Sequence, residues 1–186
     1  RSKRKKVIKM NNCSLNGEWQ YRIGKGEFSP ITVPFSRLAV GHFECLKSFD
    51  LPEKAQKVFL KFYGITYSAE VYLNGEFLGS MLPYCEYKYD ITGLVKENNN
   101  ALLLSMEDTS PAFGPTAGWE NYGGIIRDVE LIFTDNTYIE DVFFHSTLKN
   151  GYKDAEFSVD TSSSNGKGDF KIDQGYDDAL FGDMVY

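Results

Sequence analysis

Histidine and cysteine are scarce: two and three residues respectively in 186. Cys13, Cys45 and Cys85 are odd in number and have no paired spacing, so no closed disulfide framework is expected. His42 and Cys45 stand three apart, but two ligands do not make a zinc site, and buried neutral side chains explain them better. His145 is remote in sequence beside Phe143 and Phe144, so no Ser/His/Asp arrangement can be argued. Neither a metal nor a cofactor is expected. Gly24 and Gly26 form a Gly-x-Gly without the rest of a dinucleotide fingerprint or a βαβ context. No apolar run approaches the roughly 20 residues of a membrane helix, and no signal-type apolar region follows the basic start. A net charge of −6 argues against a nucleic-acid partner. No stretch of 12 residues carries a clean helical period, which argues against parallel βαβ units.

What is abundant is aromatic. Aromatic residues make up 15% and hydrophobic residues 42%, enough for a substantial core and biased towards strands. Five of the first six residues, Arg1 to Lys6, are basic and read as a solvated leader. The chain begins at Arg, so an upstream segment is expected to have been removed. If that segment was an export signal the protein is periplasmic or extracellular, and otherwise cytoplasmic, so the compartment stays open.

Strand signals recur between turn residues. After the turn signal Leu15-Asn16-Gly17, Trp19, Tyr21 and Ile23 alternate with Glu18, Gln20 and Arg22, the pattern of a half-buried strand. Ile31–Val33 is extended before Pro34, and Phe43, Cys45, Phe49 and Leu51 lead to a stop at Pro52. Val58, Leu60 and Phe62 alternate with Phe59, Lys61 and Tyr63, predicting a strand covered on both faces. Ala69, Val71 and Leu73 precede Asn74-Gly75 and then Glu76–Leu78, a type I′ hairpin signature. Leu102, Leu104 and Met106 share one parity of a further core strand. Tyr84, Tyr87 and Tyr89 could line a carbohydrate face, but core packing explains Tyr87 and Tyr89 equally well. An antiparallel β-sandwich is the expected class.

The segment from Asp108 to Gly124 has no period of its own, and loops that long in compact domains are usually functional or disordered. It ends in Gly118-Trp119-Glu120-Asn121-Tyr122-Gly123-Gly124-Ile125-Ile126-Arg127-Asp128-Val129 and turns into the strand Val129–Phe133. An aromatic, a carboxylate and an amide beside two glycines suit a sugar, whose ring has apolar C–H faces and a hydroxyl rim. A plain turn whose Trp only packs is the alternative on this segment alone.

This run resembles the signature that closes the N-terminal jelly roll of family 2 glycoside hydrolases, the β-galactosidase, β-glucuronidase and β-mannosidase group. Further landmarks stand in family order: Leu15–Trp19, Val33-Pro34, Phe49–Pro52, Ala69–Gly75, Asp90–Thr92 and Asn100–Leu102. The resemblance implies a galactose-binding-like jelly-roll β-sandwich over residues 12–135, behind a basic leader of residues 1–11. It also implies the start of an immunoglobulin-like β-sandwich in 136–186. About 50 residues remain there, whereas such a sandwich takes about 100, so a divergent tail is the other possibility. The Ser/Gly-rich stretch from Ser162 to Gly168 has the composition of a disordered segment.

In the family the two catalytic glutamates belong to a TIM barrel, and retaining glycosidases place such a pair roughly 5–5.5 Å apart. No eightfold βα alternation exists here, and Glu120 and Asp128 make a poor pair across the double-glycine turn, so no catalytic residue is assigned. Trp119, Glu120, Asn121 and Tyr122 are the expected substrate contacts, and Arg127 and Asp128 the structural anchors of the loop. Where family members carry an acid a few residues before Asn-Tyr, this chain has Thr116-Ala117-Gly118, and Glu120 is out of register. The expected role is non-catalytic, shaping the pocket of the parent protein's barrel around a β-glycoside. A stand-alone carbohydrate-binding module or a protein-interaction jelly roll are the competing roles.

Overall fold

The computed structural model describes residues 10–38, 41–108, 122–151 and 153–164. Its chain divides into two compact units, Arg1–Asn136 and Thr137–Tyr186. All regular structure among the described residues is extended. The first unit holds β1 (Met10–Ser14), β2 (Gly17–Ile23), β3 (Ser29–Val33), β4 (Arg37–Leu38), β5 (His42–Phe49), β6 (Lys57–Phe62), β7 (Ser68–Leu73), β8 (Glu76–Met81), β9 (Tyr87–Asp90), β10 (Asn100–Glu107), β11 (Tyr122–Gly123) and β12 (Val129–Thr134).

These strands form an antiparallel four-stranded sheet, β1-β12-β6-β9, and a six-stranded sheet, β3-β2-β5-β10-β7-β8. Alternation decides which side chains fill the space between the layers. From the six-stranded sheet come Trp19, Phe43, Cys45, Val71, Leu73, Leu102, Leu104 and Met106, and from the other Val58, Leu60, Phe62, Val129 and Leu131, all buried. At about 25 cal/mol per Å² of apolar surface removed from water, this layer is the dominant favourable term.

The Asn74-Gly75 hairpin forms as its dipeptide demands. Both residues have positive φ, 54° and 90°, and Val71 beneath is fully buried. On β6, Phe59 is buried on the face opposite Leu60, with the Lys88 ammonium 5.2 Å from its ring centroid, so the strand is covered on both sides. Ile23 departs from the expected alternation: it is exposed because it is the last residue of β2 before the chain turns at Gly24. β1 begins at Met10, inside the segment read as leader, and Asn11 pairs with Phe133.

Side chains also join the corners. The Asn16 amide donates to Asp128 Oδ1 (2.8 Å) and accepts from Val129 N–H (3.0 Å). Buried Asn100 accepts from Lys96 N–H (2.8 Å) and donates to Lys96 C=O (2.7 Å). Asp90 Oδ1 accepts from Thr92 N–H (3.0 Å) and Thr92 Oγ1 (2.5 Å).

The second unit contains β13 (Ile139–Lys149) and β14 (Asp154–Ser163), paired antiparallel. Val142, Phe144 and Leu148 alternate onto one face of β13, and all three are exposed. The serine-rich stretch differs from expectation at its start: Ser162 pairs with Asp141 and Ser163 with Ile139, because cross-strand hydrogen bonding recruits them into β14.

Candidate functional site

Of the four expected contact residues, Trp119, Glu120 and Asn121 lie outside the described residues. Tyr122 is described, and it opens β11, where it pairs with Leu38 while Gly123 pairs with Arg37. This two-residue ribbon was not anticipated. Its glycines are required by contact: a Cβ on Gly123 would stand 1.6 Å from Asp108 Oδ1, and one on Gly124 2.4 Å from the Phe35 carbonyl oxygen. Gly124 also has φ of +146° and exchanges two 2.9 Å hydrogen bonds with Thr66. Phe35 N–H donates to Ile125 C=O at 2.8 Å. The chain leaving the long loop is thereby pinned to two separate segments.

The start of the loop is pinned at the same place. Asp108 directly follows β10, is 3% exposed, and donates its N–H to Gly41 C=O at 3.2 Å. Its carboxylate fills the space that a side chain at residue 123 would need. Arg37, cross-strand from Gly123, places its guanidinium 5.1 Å from the Tyr21 ring centroid and 5.8 Å from that of Phe43. Its Nη1 is buried and has no hydrogen-bond partner among the described residues. Below lies Cys45: burial pushes its thiol up to about 12, Arg37 pulls it down and Asp108 pushes it up again. That thiol stays protonated and is no nucleophile.

Three tyrosines converge beside this anchor. Tyr67 follows Thr66 and is buried, Tyr84 is half exposed, and their rings meet edge-on with centroids 6.4 Å apart. Hydrogen bonding to Tyr122, then partial burial and the proximity of Tyr67, raise the Tyr84 hydroxyl well above its ordinary value. Tyr87 and Tyr89 do something different. They stack on each other at 6.4 Å, and Tyr89 lies against Gly79, where a Cβ would come within 3.0 Å of its ring. The Tyr87 hydroxyl accepts from Leu82 N–H at 2.9 Å. Those two rings join β9 to β8, the edges of the two sheets.

Arg127 and Asp128 lie before β12 rather than on it, and both are exposed. Arg127 lays its side-chain stem on Gly64, with its N–H donating to Gly64 C=O at 3.3 Å, while Asp128 is held by Asn16. A cleft of about 510 Å³ between the start of β1 and the end of β12 is lined by Asn11, Glu53, Gln56, Phe133, Thr134 and Asp135, among others. Tyr122, the one described residue of the expected contact set, does not line it. Arg37 and Tyr67 were not anticipated, and Asp108 only as the start of the loop. A lone charged residue or tyrosine carries no local signal of what it will meet across the fold.

Two facing antiparallel sheets with a loop clamped at one end define an all-β sandwich of the galactose-binding-like kind. Residues 38–113 match the family described as glycosyl hydrolase 2 galactose-binding domain-like. Over those residues the chain has the galactose-binding-like domain of the family 2 glycosyl hydrolases. It is 32% identical over 135 residues to a β-galactosidase of Priestia megaterium, covering 72% of this chain and 13% of that protein. It is 28% identical over 152 residues to a β-glucuronidase of Bacteroides fragilis, covering 71% of this chain and 22% of that protein. The chain thus spans about a fifth or less of the length of these curated relatives. A solved β-glucuronidase from an uncultured Clostridium superposes with a TM-score of 0.70 at 22% identity, covering 83% of this chain and 34% of that one. The likeness is one of fold.

Proposed function

We propose that this chain is the non-catalytic, carbohydrate-binding N-terminal region of a family 2 β-glycosidase. Residues 12–135 form the sugar-binding jelly roll, with Met10 and Asn11 of the leader drawn into β1, and they shape one wall of a substrate pocket whose catalytic groups belong to a TIM barrel of the parent protein. Trp119, Glu120, Asn121 and Tyr122 contact the β-glycoside, and Arg127 and Asp128 brace the base of the loop. In 136–186, the hairpin with its uncovered apolar face is the start of an immunoglobulin-like sandwich, in which two sheets bury such faces against each other.

The observation that carries this reading is the double clamp at Gly123 and Gly124. A segment that only connected two strands would not need both of its ends packed to interatomic contact, whereas one that presents side chains to a ligand needs a rigid base. The relatives named β-galactosidase and β-glucuronidase support a β-glycoside as the substrate class.

In the full-length parent, Asn121→Ala should lower kcat/KM by roughly several-fold to tenfold, the worth of one hydrogen bond to an uncharged partner, with melting unchanged. Unchanged kinetics with unchanged melting would reduce the loop to scaffolding.

A further inference from the structure

We propose that Tyr84, braced by Tyr67 and tied to Tyr122, is the platform on which the pyranose ring of the bound glycoside stacks, an inference that rests on the loop being sugar-facing. The three residues come from three segments: the β6–β7 connection, the β8–β9 connection and the return of the long loop.

Four observations single out Tyr84. Its backbone sits at φ +63°, a left-handed conformation uncommon for any residue but glycine, and one that marks positions the surrounding fold holds in place. Its N–H donates to Ile65 C=O at 3.0 Å, beside the Thr66–Gly124 bridge that anchors the loop. Its ring meets that of buried Tyr67 edge-on, at 6.4 Å and 73° between planes. Yet 49% of the residue is exposed, and its neighbour Leu82 is 63% exposed.

A half-exposed aromatic ring already braced by a buried one needs little further ordering to receive an apolar C–H face. The phenols of Tyr84 and Tyr122 add acceptors and donors at the rim, where a sugar presents hydroxyls. Phe77 is as exposed as Tyr84 but lies on edge strand β8, its ring against that of Tyr72 at 5.4 Å. Tyr87 and Tyr89 are committed to joining the sheet edges.

The test is saturation-transfer NMR on the full chain with methyl β-galactoside and methyl β-glucuronide as probes. At least one probe should receive saturation at its ring protons from the wild-type chain. Tyr84→Ala should weaken that binding by roughly two- to tenfold, the range expected for one aromatic contact. Tyr84→Phe should retain most of it, with a dispersed amide spectrum confirming each fold. Intermolecular NOEs between the Tyr84 ring and the sugar in the wild type need no variant, and their absence overturns the platform even should Tyr84→Ala fail to fold. A folded Tyr84→Ala that binds like wild type, or a wild type that binds neither probe, overturns it too. Weakening by Asn121→Ala but not by Tyr84→Ala leaves the loop as the sugar contact and removes the platform. Weakening by Tyr84→Ala but not by Asn121→Ala keeps the ring contact at Tyr84 and overturns the sugar-facing loop on which the platform as stated rests.

Discussion

Gly123 shows how one missing atom organises the anchor. Its Cα hydrogen faces the Asp108 carboxylate, and a methyl group there would occupy the same space as Oδ1. Because Asp108 is itself buried, the collision cannot be relieved by swinging the carboxylate into water. Gly123→Ala is therefore expected to destabilise by about 1–3 kcal/mol, the usual cost of overpacking. That corresponds to a melting temperature lower by roughly 3–10 °C. Gly93→Ala, where nothing lies within 4 Å of the added Cβ, is the control and should melt like wild type. Equal melting of both variants would show that Asp108 does not fill that space. The polar landmarks have a similar explanation. Asn16, Asp90 and Asn100 satisfy backbone groups at strand ends, as buried or half-buried donors and acceptors must be satisfied. Their motifs were visible in sequence, but their partners were not: Asn16 meets Val129, 113 residues away.

Among the elements, the β7–β8 hairpin was legible because its information is local, a period of two ending in a dipeptide that tolerates two positive φ values. The β4–β11 ribbon was not legible, since two residues cannot display a period and their pairing partner is distant in sequence. Strand β9 carries a pH-dependent contact. Burial pushes the Asp90 carboxyl up, but hydrogen bonds from Lys57 (2.7 Å) and Thr92 outweigh this and hold it below the ordinary 3.8. A depressed carboxyl favours the folded state above its unfolded value and loses that advantage as pH falls through its folded value. Its side chain is 43% exposed, so solvent screening keeps the contribution small. Asp90→Asn should thus melt below wild type at neutral pH, and the gap should narrow as pH drops beneath 3.8. A gap of constant size across that range would mean that the charge contributes nothing and only the hydrogen bonds to Thr92 count.

For the protein as a unit of function, the expected outcome is negative. Retaining glycosidases need two carboxyl groups roughly 5–5.5 Å apart in a pocket. Asp128, the acid of the signature segment that precedes β12, is exposed, and its Oδ1 accepts from Asn16 at 2.8 Å. The purified chain should leave aryl β-galactosides and β-glucuronides unhydrolysed, measured by release of the aryl chromophore over background. Turnover abolished by Glu120→Gln or Asp128→Asn would overturn this and place a catalytic acid in the loop. The sequence by itself determined the all-β class and the hairpin, because alternation and turn chemistry are written within a few neighbouring residues. Only the tertiary structure decided why two glycines are needed in a row, that Asp108 is buried beneath them, and that Tyr67, Tyr84 and Tyr122 meet. Those outcomes depend on contacts between segments dozens of residues apart, and no local pattern encodes which side chain will arrive on the other side.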